Sequence, residues 1–391
     1  MFLSNASYPP DLRLQKEGTT LLKLGHKITI LCNKTGKQKT SEIINGFLVI
    51  RIHHILIKIP KAGRFIHYLF DKYKFLFKTL LISKKSKIDV IHVHDLPLAL
   101  PALLTSKILQ IPIILDFHEN YIQMFRSNHE TTFITRILCR LFKFEESISS
   151  KIADKIIVVT KEAKKRLIQE YNLDSKKISI ISNTADIEEL SQISKHTPKK
   201  LDGYSILYVG SFSKHRGLDT LIKATSMLSA KSNIKVYLVG GVNNPEKRRL
   251  QKLIEDLDLE RKIRIINELD PIETSKYMMG ANVCVVPHLS NPHTEATIPH
   301  KLFNYMYFMK PVLVSDIHPL KKIIEECKCG KVFKAGDADS LKKQLLYFEK
   351  NRDKLVKMGK NAYHSIINKY NWNQEEIKLE KMYSMIDDIR K

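Results

Sequence analysis

"YSILYVGSFSKHRGLDTLIKATSML" (Tyr204–Leu228), followed closely by "IKVYLVGG" (Ile234–Gly241), decides the fold. Tyr204–Val209 is a nearly unbroken apolar run, the pattern of a parallel strand buried on both faces. It stops at Gly210. A short loop carries Ser213, Lys214 and Arg216, Gly217 opens a helix, and a second apolar strand follows. Strand, loop, helix and parallel strand make one turn of a doubly wound α/β unit.

The same alternation extends both ways. Toward the C-terminus, "PEKRRLQKLIEDLDL" is helical, and "KIRIIN", "ANVCVVPH" and "PVLVSD" are strands. Toward the N-terminus, "MFLSN", "HKITILC", "IDVIHVHD", "IPIILDFHE", "DKIIVVT" and "KISIISN" are strands separated by helical stretches, the first of which ends at Gly25. Two sets of alternating elements predict two Rossmann-like, doubly wound parallel-sheet domains. They should occupy residues 1–190 and 200–368, with a last helix in 369–391 returning to the N-terminal domain. The polar stretch Asn183–Lys200 is the seam. Ligands of such sheets bind beyond the carboxyl ends of the strands. That directs attention to His94-Asp95, His118-Glu119, Gly210-Ser211, Gly240-Gly241, Asn267-Glu268 and the loop Pro287–Thr297. In a two-domain chain these strand ends are expected to face each other across a cleft.

Composition narrows the function classes. The chain has 391 residues, 43% hydrophobic, enough for two real cores and against disorder. No apolar run is long enough to span a bilayer. The start "MFLSNASYPPDLR" lacks a basic n-region and reads as a first strand and loop, not a signal peptide. The five cysteines are scattered and build neither a disulfide framework nor a zinc site, so a reduced, cytoplasmic protein is expected. The net charge is +24 and uneven. Between Lys58 and Lys87 stand nine Lys or Arg against one acid, Asp71, interleaved with Phe65, Tyr68, Phe70, Tyr73, Phe75 and Phe77. A basic aromatic helix suits an anionic membrane surface, at the inner face of the cytoplasmic membrane. A core-packed helix with a solvated basic face is the alternative. Nucleic acid is not expected, because no recognition motif is present.

Two stretches have the outline of a phosphate site. In the first, Gly210 and Gly217 let backbone approach a ligand, and Arg216 adds a fork of donors beside a helix N-terminus. In the second, "TEATIPHKLFNYM" (Thr294–Met306), Pro299 sits in the first turn of a helix that is otherwise apolar all round and should be buried. His300, Lys301 and, one turn on, Asn304 put polar groups along one edge of it.

In order along nearly the whole chain, "YPPDLRLQKEG", "IHVHD", "DFHEN", "VVT", "SNTAD", "YVGSF…RGLDTLIKA" and "PHKLFNYM…KPVLVSD" resemble the retaining glycosyltransferases of the family 4 type (glycosyl transferases group 1), with the GT-B fold. The resemblance implies transfer of a sugar from a nucleotide-diphosphate sugar, UDP-linked by family frequency, to a lipid-linked or glycan acceptor in cell-surface polysaccharide or glycolipid synthesis, with neither metal nor other cofactor. It places Arg216 where the family has a basic residue before the helix-opening glycine. Ser211 stands where an Arg is usual. Asn304 matches the second Glu of the family's Glu-x7-Glu motif, which holds the ribose. The first Glu falls at Ala296, with Glu295 one place early, so either the loop presents Glu295 or the sugar contact differs. His118 matches a histidine beside the transferred sugar, and Asp11 and Arg13 match the loop after the first strand, where acceptor and phosphate meet.

The implied catalytic groups are therefore His118, Arg216 and Lys301. Gly210, Ser211, Arg216, Asn267, Glu295, Thr297, His300 and Asn304 are expected around the donor, and Asp11, Arg13, Asp95 and Glu119 on the acceptor side. The Asp256–Asp258 and Asp337–Asp339 triplets are read as structural, not as metal ligands. Two rivals remain at this point: a sugar-nucleotide epimerase of related fold, and a non-catalytic binding protein on a degenerate transferase scaffold.

Overall fold

The computed structural model describes residues 1–9, 11–53, 64–129, 132–241 and 244–390. It divides into two compact units, Met1–Asn183 with 375–391, and Thr184–Gln374. The seam thus lies at the start of the stretch expected to hold it, before residue 190. The reason is α7 (Ile187–Ile193), which buries Leu190 and Ile193 in the core of the second unit.

The first unit holds an eight-stranded sheet in the order β3-β4-β2-β1-β5-β6-β7-β8. Its strands are β1 (Phe2–Ser4), β2 (Thr29–Lys34), β3 (Ser41–Ile44), β4 (Phe47–His53), β5 (Ile91–His94), β6 (Ile113–Phe117), β7 (Lys155–Val158) and β8 (Ile178–Ile180). All pairs are parallel except β3–β4. The helices are α1 (Leu12–Lys23), α2 (Arg64–Lys85), α3 (Ala99–Leu109), α4 (Tyr121–Asn128), α5 (Phe133–Ile152) and α6 (Lys161–Tyr171). The β3–β4 hairpin is an addition to the strands expected. Its turn is Asn45-Gly46, both at positive φ (52° and 83°), the two-residue turn whose twist matches the flanking strands.

The second unit holds a six-stranded, wholly parallel sheet in the order β11-β10-β9-β12-β13-β14. Its strands are β9 (Tyr204–Val209), β10 (Ile234–Val239), β11 (Ile263–Ile266), β12 (Val283–Val286), β13 (Val312–Ser315) and β14 (Gly330–Phe333). Counted from β9, this is the 3-2-1-4-5-6 order of a dinucleotide-type fold. The helices after α7 are α8 (Leu218–Ser226), α9 (Pro245–Asp256), α10 (Pro271–Gly280), α11 (His300–Tyr307), α12 (His318–Cys327), α13 (Ala338–Lys350) and α14 (Arg352–Asn368). α15 (Trp372–Arg390) begins in this unit and from Glu375 onward belongs to the first. There Glu375 accepts the Ser182 N–H (2.9 Å) and the Tyr383 hydroxyl meets His92 Nδ1 (2.9 Å). The returning C-terminal helix is as expected.

Strands β5, β6, β12 and β13 are buried at every position, which is why they read as unbroken apolar runs. All five cysteines are free. No helix among the described residues is long and apolar enough to cross a membrane. Of the basic segment 58–87, residues 58–63 lie outside the described residues, as do His54 and the side chains of Phe65, Tyr68 and Phe70. The rest of α2 buries Phe75 and leaves Tyr73 and Phe77 exposed.

Candidate functional site

The sheet order places a switch point in each unit, between β1 and β5 and between β9 and β12. Both collect polar groups.

In the second unit, β9 ends at Gly210, whose φ of 132° takes it out of the strand. A Cβ there would meet Lys301 Nζ at 2.5 Å, so the missing side chain is what lets the lysine reach the strand end. Lys301 rises from the first turn of α11. Its Nζ lies 3.9 Å from the centre of the Tyr208 ring, is buried, and has no hydrogen-bond partner. Burial, and then the Arg216 charge, hold Lys301 well below the usual lysine range. Arg216 donates to His288 Nε2 (3.0 Å), and its Nε is also buried without a partner. His288 must accept with that nitrogen, so it is neutral. Burial, Arg216 and Lys301 all push it well below its ordinary value. His215, at 5.4 Å from the His293 ring, is lowered to about 3 by burial and by Arg216.

These groups form a buried basic cluster with neutral histidines behind it and, among the described residues, no carboxylate paired with Lys301. Pro299 is the N-cap of α11, not its first helical residue, and makes no side-chain hydrogen bond to the helix; its carbonyl accepts the Leu302 N–H (3.1 Å). An uncompensated buried charge costs several kcal/mol, and an anion placed between these groups would offset that cost. Asn304 follows one turn on, half-buried at the edge of a helix whose Leu302, Phe303, Tyr305, Met306 and Tyr307 are buried.

The other expected donor-side residues differ in what they do. Thr297 Oγ1 donates to the His293 carbonyl (3.1 Å) and braces the loop before α11. His300 opens α11 beside it. Ser211 is exposed, and its carbonyl accepts the Tyr208 hydroxyl (2.8 Å). Asn267, at the end of β11, accepts from Lys247 Nζ (2.6 Å). Glu295 is anchored. One oxygen accepts the Ser290 hydroxyl (2.6 Å) and the other the His318 N–H at the start of α12 (3.0 Å). A helix N-terminus attracts a carboxylate, and this holds Glu295 at α12, while Ala296 is buried. Asp256 ends α9, and Asp337 caps α13 by accepting the Ser340 N–H (2.9 Å).

The close packing of the two loops depends on Gly217. Its φ is 66°, and a Cβ would lie 2.0 Å from the Pro287 carbonyl oxygen. The left-handed conformation alone costs an L-residue roughly 1–2 kcal/mol, and the facing atom is backbone that cannot rotate away. Gly217→Ala should lower the melting temperature by several degrees and weaken nucleotide binding, since Arg216 is the preceding residue. An unchanged melting curve and UDP titration would refute this.

In the first unit, Arg13 is the centre. Its guanidinium is 5% exposed. Nε and Nη2 clamp the two oxygens of Asp116 (2.6 and 3.0 Å), Nη1 donates to Asn183 Oδ1 (2.7 Å) and the Ile181 carbonyl (3.2 Å), and Nη2 lies 3.0 Å from Glu17. Arg13 therefore organises the strand ends, its donors spent inside, rather than presenting a cation to an acceptor. Asp11 caps α1 by accepting the Leu14 N–H (3.0 Å). His118 lies between Asp95 (Nε2, 2.9 Å) and Asp116 (Nδ1, 3.7 Å). Burial opposes its charge, but Asp95 and Asp116 outweigh it and hold His118 protonated well above its ordinary value. A histidine so held donates hydrogen bonds and is no base at neutral pH. Asp95 itself is at φ 63°, a strained backbone that aims its carboxylate at His118. Glu119 is half-buried at the exit of β6.

Glu17, His92, His94 and Asp116 bring four buried donor atoms within 4.8 Å of one another, close enough for a metal ion. The Arg13 guanidinium already clamps Asp116 and neighbours Glu17, supplying the positive charge there. Burial pushes Glu17 up to about 7 in spite of Arg13. His92 and Glu17 were not singled out from sequence. "IHVHD" carries the signal, since period-two spacing puts His92 and His94 on one strand face, where their rings stack at 4.9 Å. His288 and Tyr208 had no such signal.

Two doubly wound sheets, one with an anion site at its switch point, are the hallmarks of the GT-B class. Residues 187–365 match the family model for glycosyl transferases group 1, and residues 17–189 that for glycosyltransferase family 4. The chain is 22% identical over 309 residues to the O-antigen chain mannosyltransferase RfbU of Salmonella typhimurium, covering 78% of each. It is 27% identical over 230 residues to the capsular polysaccharide biosynthesis glycosyltransferase CapH of Staphylococcus aureus, covering 57% of this chain and 61% of CapH. Among solved structures, sucrose-phosphate synthase from Thermosynechococcus elongatus superposes with a TM-score of 0.80 at 17% identity, over 99% of this chain and 98% of that one. Anabaena HepE in complex with UDP-glucose gives 0.74 at 14% identity, over 98% of each. The chain belongs to the group 1 glycosyltransferases, of the family 4 type, and has the GT-B fold.

Proposed function

We propose that this glycosyltransferase moves a hexosyl unit from a UDP-sugar to a lipid-linked or glycan acceptor in cell-surface polysaccharide or glycolipid synthesis, at the inner face of the cytoplasmic membrane, with retention at the anomeric carbon. The observation that carries the donor is the pair Arg216 and Lys301 at the N-terminus of α11, with Arg216 Nε and Lys301 Nζ buried and without a hydrogen-bond partner among the described residues. A diphosphate supplies the missing negative charge. As the sugar departs, charge grows on the leaving phosphate, and donors already aimed at it stabilise that state more than the ground state. This assigns the role of a divalent ion to side chains, so turnover should not require one. Asn304 offers an amide to ribose hydroxyls, at the position where the family has Glu. His118, protonated, is assigned a donating, orienting role toward the transferred sugar. The relatives' names support the acceptor class: an O-antigen mannosyltransferase and a capsular glycosyltransferase.

The test is a screen of radiolabelled UDP- and GDP-sugars with the purified chain, membrane lipid extract and EDTA. Label should enter the lipid fraction from a UDP-sugar, with EDTA present. Label released only as free sugar would favour an epimerase. No thermal shift with millimolar UDP or GDP would overturn the enzyme reading.

A further inference from the structure

α5 is amphipathic in a largely inverted sense. Around Phe142 it buries Thr135, Glu145, Glu146, Ser149 and Ser150, and it leaves Phe133, Ile134, Ile137, Leu141 and Phe144 in solvent. Phe133 is 78% and Phe144 66% exposed. Such a face is costly in water and marks a site that meets something apolar. The neighbouring helices do the same. α3 packs against both α2 and α5, and Glu145 ties the three together by pairing with Lys72 of α2 and accepting the Leu100 N–H of α3 (3.3 Å). α3 exposes Leu104 and Ile108, and α2 exposes Phe77 and Leu81, each pair at i and i+4. Beside the apolar row of α5, Arg136 and Arg140 join Arg126 of α4 around a pocket of about 340 Å³ that also touches Thr135 and Cys139. None of the three arginines is in a salt bridge among the described residues.

We infer that α5, with the Arg126–Arg136–Arg140 pocket, docks this enzyme on an anionic phospholipid bilayer, its apolar row entering the headgroup boundary and the pocket taking a lipid phosphate. Charge complementarity commits the occupant. A row of exposed aromatic and aliphatic side chains flanked by cations fits an interface that is apolar below and anionic above. A second copy of the chain carries the same arginines and would bring them together. The inference deepens the membrane part of the function above and rests on it only there. It moves the principal contact from the basic segment 58–87 to a different helix.

The experiment is flotation of the full chain with vesicles of phosphatidylglycerol and phosphatidylcholine, and of phosphatidylcholine alone. Wild-type chain should float with the anionic vesicles and at least about tenfold less with the neutral ones. Phe133→Ser/Phe144→Ser and Arg136→Glu/Arg140→Glu should each reduce binding by at least about tenfold. The substituted residues are exposed, so melting temperature and UDP thermal shift should match wild type. Binding to anionic vesicles that both variants retain overturns the inference, as does absence of wild-type binding. A lipid-independent dimer broken by Phe133→Ser/Phe144→Ser overturns it as well. Flotation without any UDP response would leave the docking face standing and sink the donor reading, so the two failures are distinguishable.

Discussion

Lys301→Met should make the protein more stable and nearly inactive. The wild-type ammonium is buried over the Tyr208 ring with no hydrogen-bond acceptor, and burial and Arg216 depress its pKa. A lysine whose native pKa lies below the unfolded value binds fewer protons folded than unfolded. Stability therefore rises with pH between the native value and about 10.4, and is diminished below it. Methionine fills the same volume without the charge, and the gain should be about 1 kcal/mol or more at neutral pH. For the unit Thr184–Gln374 that holds Lys301, that is roughly 2–4 °C per kcal/mol. The advantage over wild type should shrink as pH is raised. Catalysis should fall about 10²–10³-fold, the scale for losing one preorganised donor to a developing oxyanion. In the wild type, a bound diphosphate should raise the Lys301 pKa by offsetting burial and the Arg216 charge, so proton uptake should accompany UDP binding wherever the free lysine is part-titrated. Titration calorimetry in two buffers of different ionisation heat reads that uptake, and Lys301→Met should abolish it. A variant less stable than wild type, with ordinary turnover, would show that Lys301 is a packing residue and not part of an anion site.

The reach of the sequence ended at recognisable physical limits. Parallel strands buried on both faces announce themselves by composition, so β5, β6, β9, β10 and β12 were legible, and with them the two-unit architecture. The hairpin of β3 and β4 was not, although Asn45-Gly46 is the strongest short signal for one. β4 alternates less cleanly, with Arg51 buried in its interior against Glu42 and the Tyr8 carbonyl. The anion site was legible in part. Arg216 and Lys301 stand beside glycine and proline that punctuate the chain, but His288 lies on a loop with no period, and only the approach of that loop to Gly217 puts it against Arg216. Glu295 shows the opposite limit. Its neighbourhood in sequence suggested a sugar contact, while the N-terminus of α12, 23 residues away, holds its carboxylate. The inverted face of α5 was invisible for a related reason. Its periodicity is that of any amphipathic helix, and which side faces the core is set by what packs on it.

Arg13→Met should cost more stability than any surface change in the chain, and its pH dependence should show why. The guanidinium is the only Lys or Arg side chain among the described residues paired with both Asp116 and Glu17, and removing it leaves two buried carboxylates with only the neighbouring histidines to balance them. Breaking a buried pair in this way costs about 3–5 kcal/mol. In the wild type, burial opposes ionisation of Asp116, but Arg13 and the adjacent histidines hold it well below the usual carboxylate range. Its contribution is therefore present above about pH 4 and lost as pH falls through the native value. Glu17, pushed up to about 7, already makes wild type gain stability as pH is lowered from 7 to 5. In the variant both Asp116 and Glu17 should bind protons more tightly than they do beside Arg13, so that gain should be steeper than in wild type. Adding Asp116→Asn and Glu17→Gln should recover part of the loss at pH 7 by removing the stranded charges. Function should not return with stability, because Asp116 helps keep His118 protonated and Arg13 sets the position of Asp116. Thermal melts of the single and triple variants from pH 5 to 8, set beside turnover, separate the two effects. A single variant whose melting temperature follows the same pH dependence as wild type across that range would mean that the cluster is held by packing and not by charge.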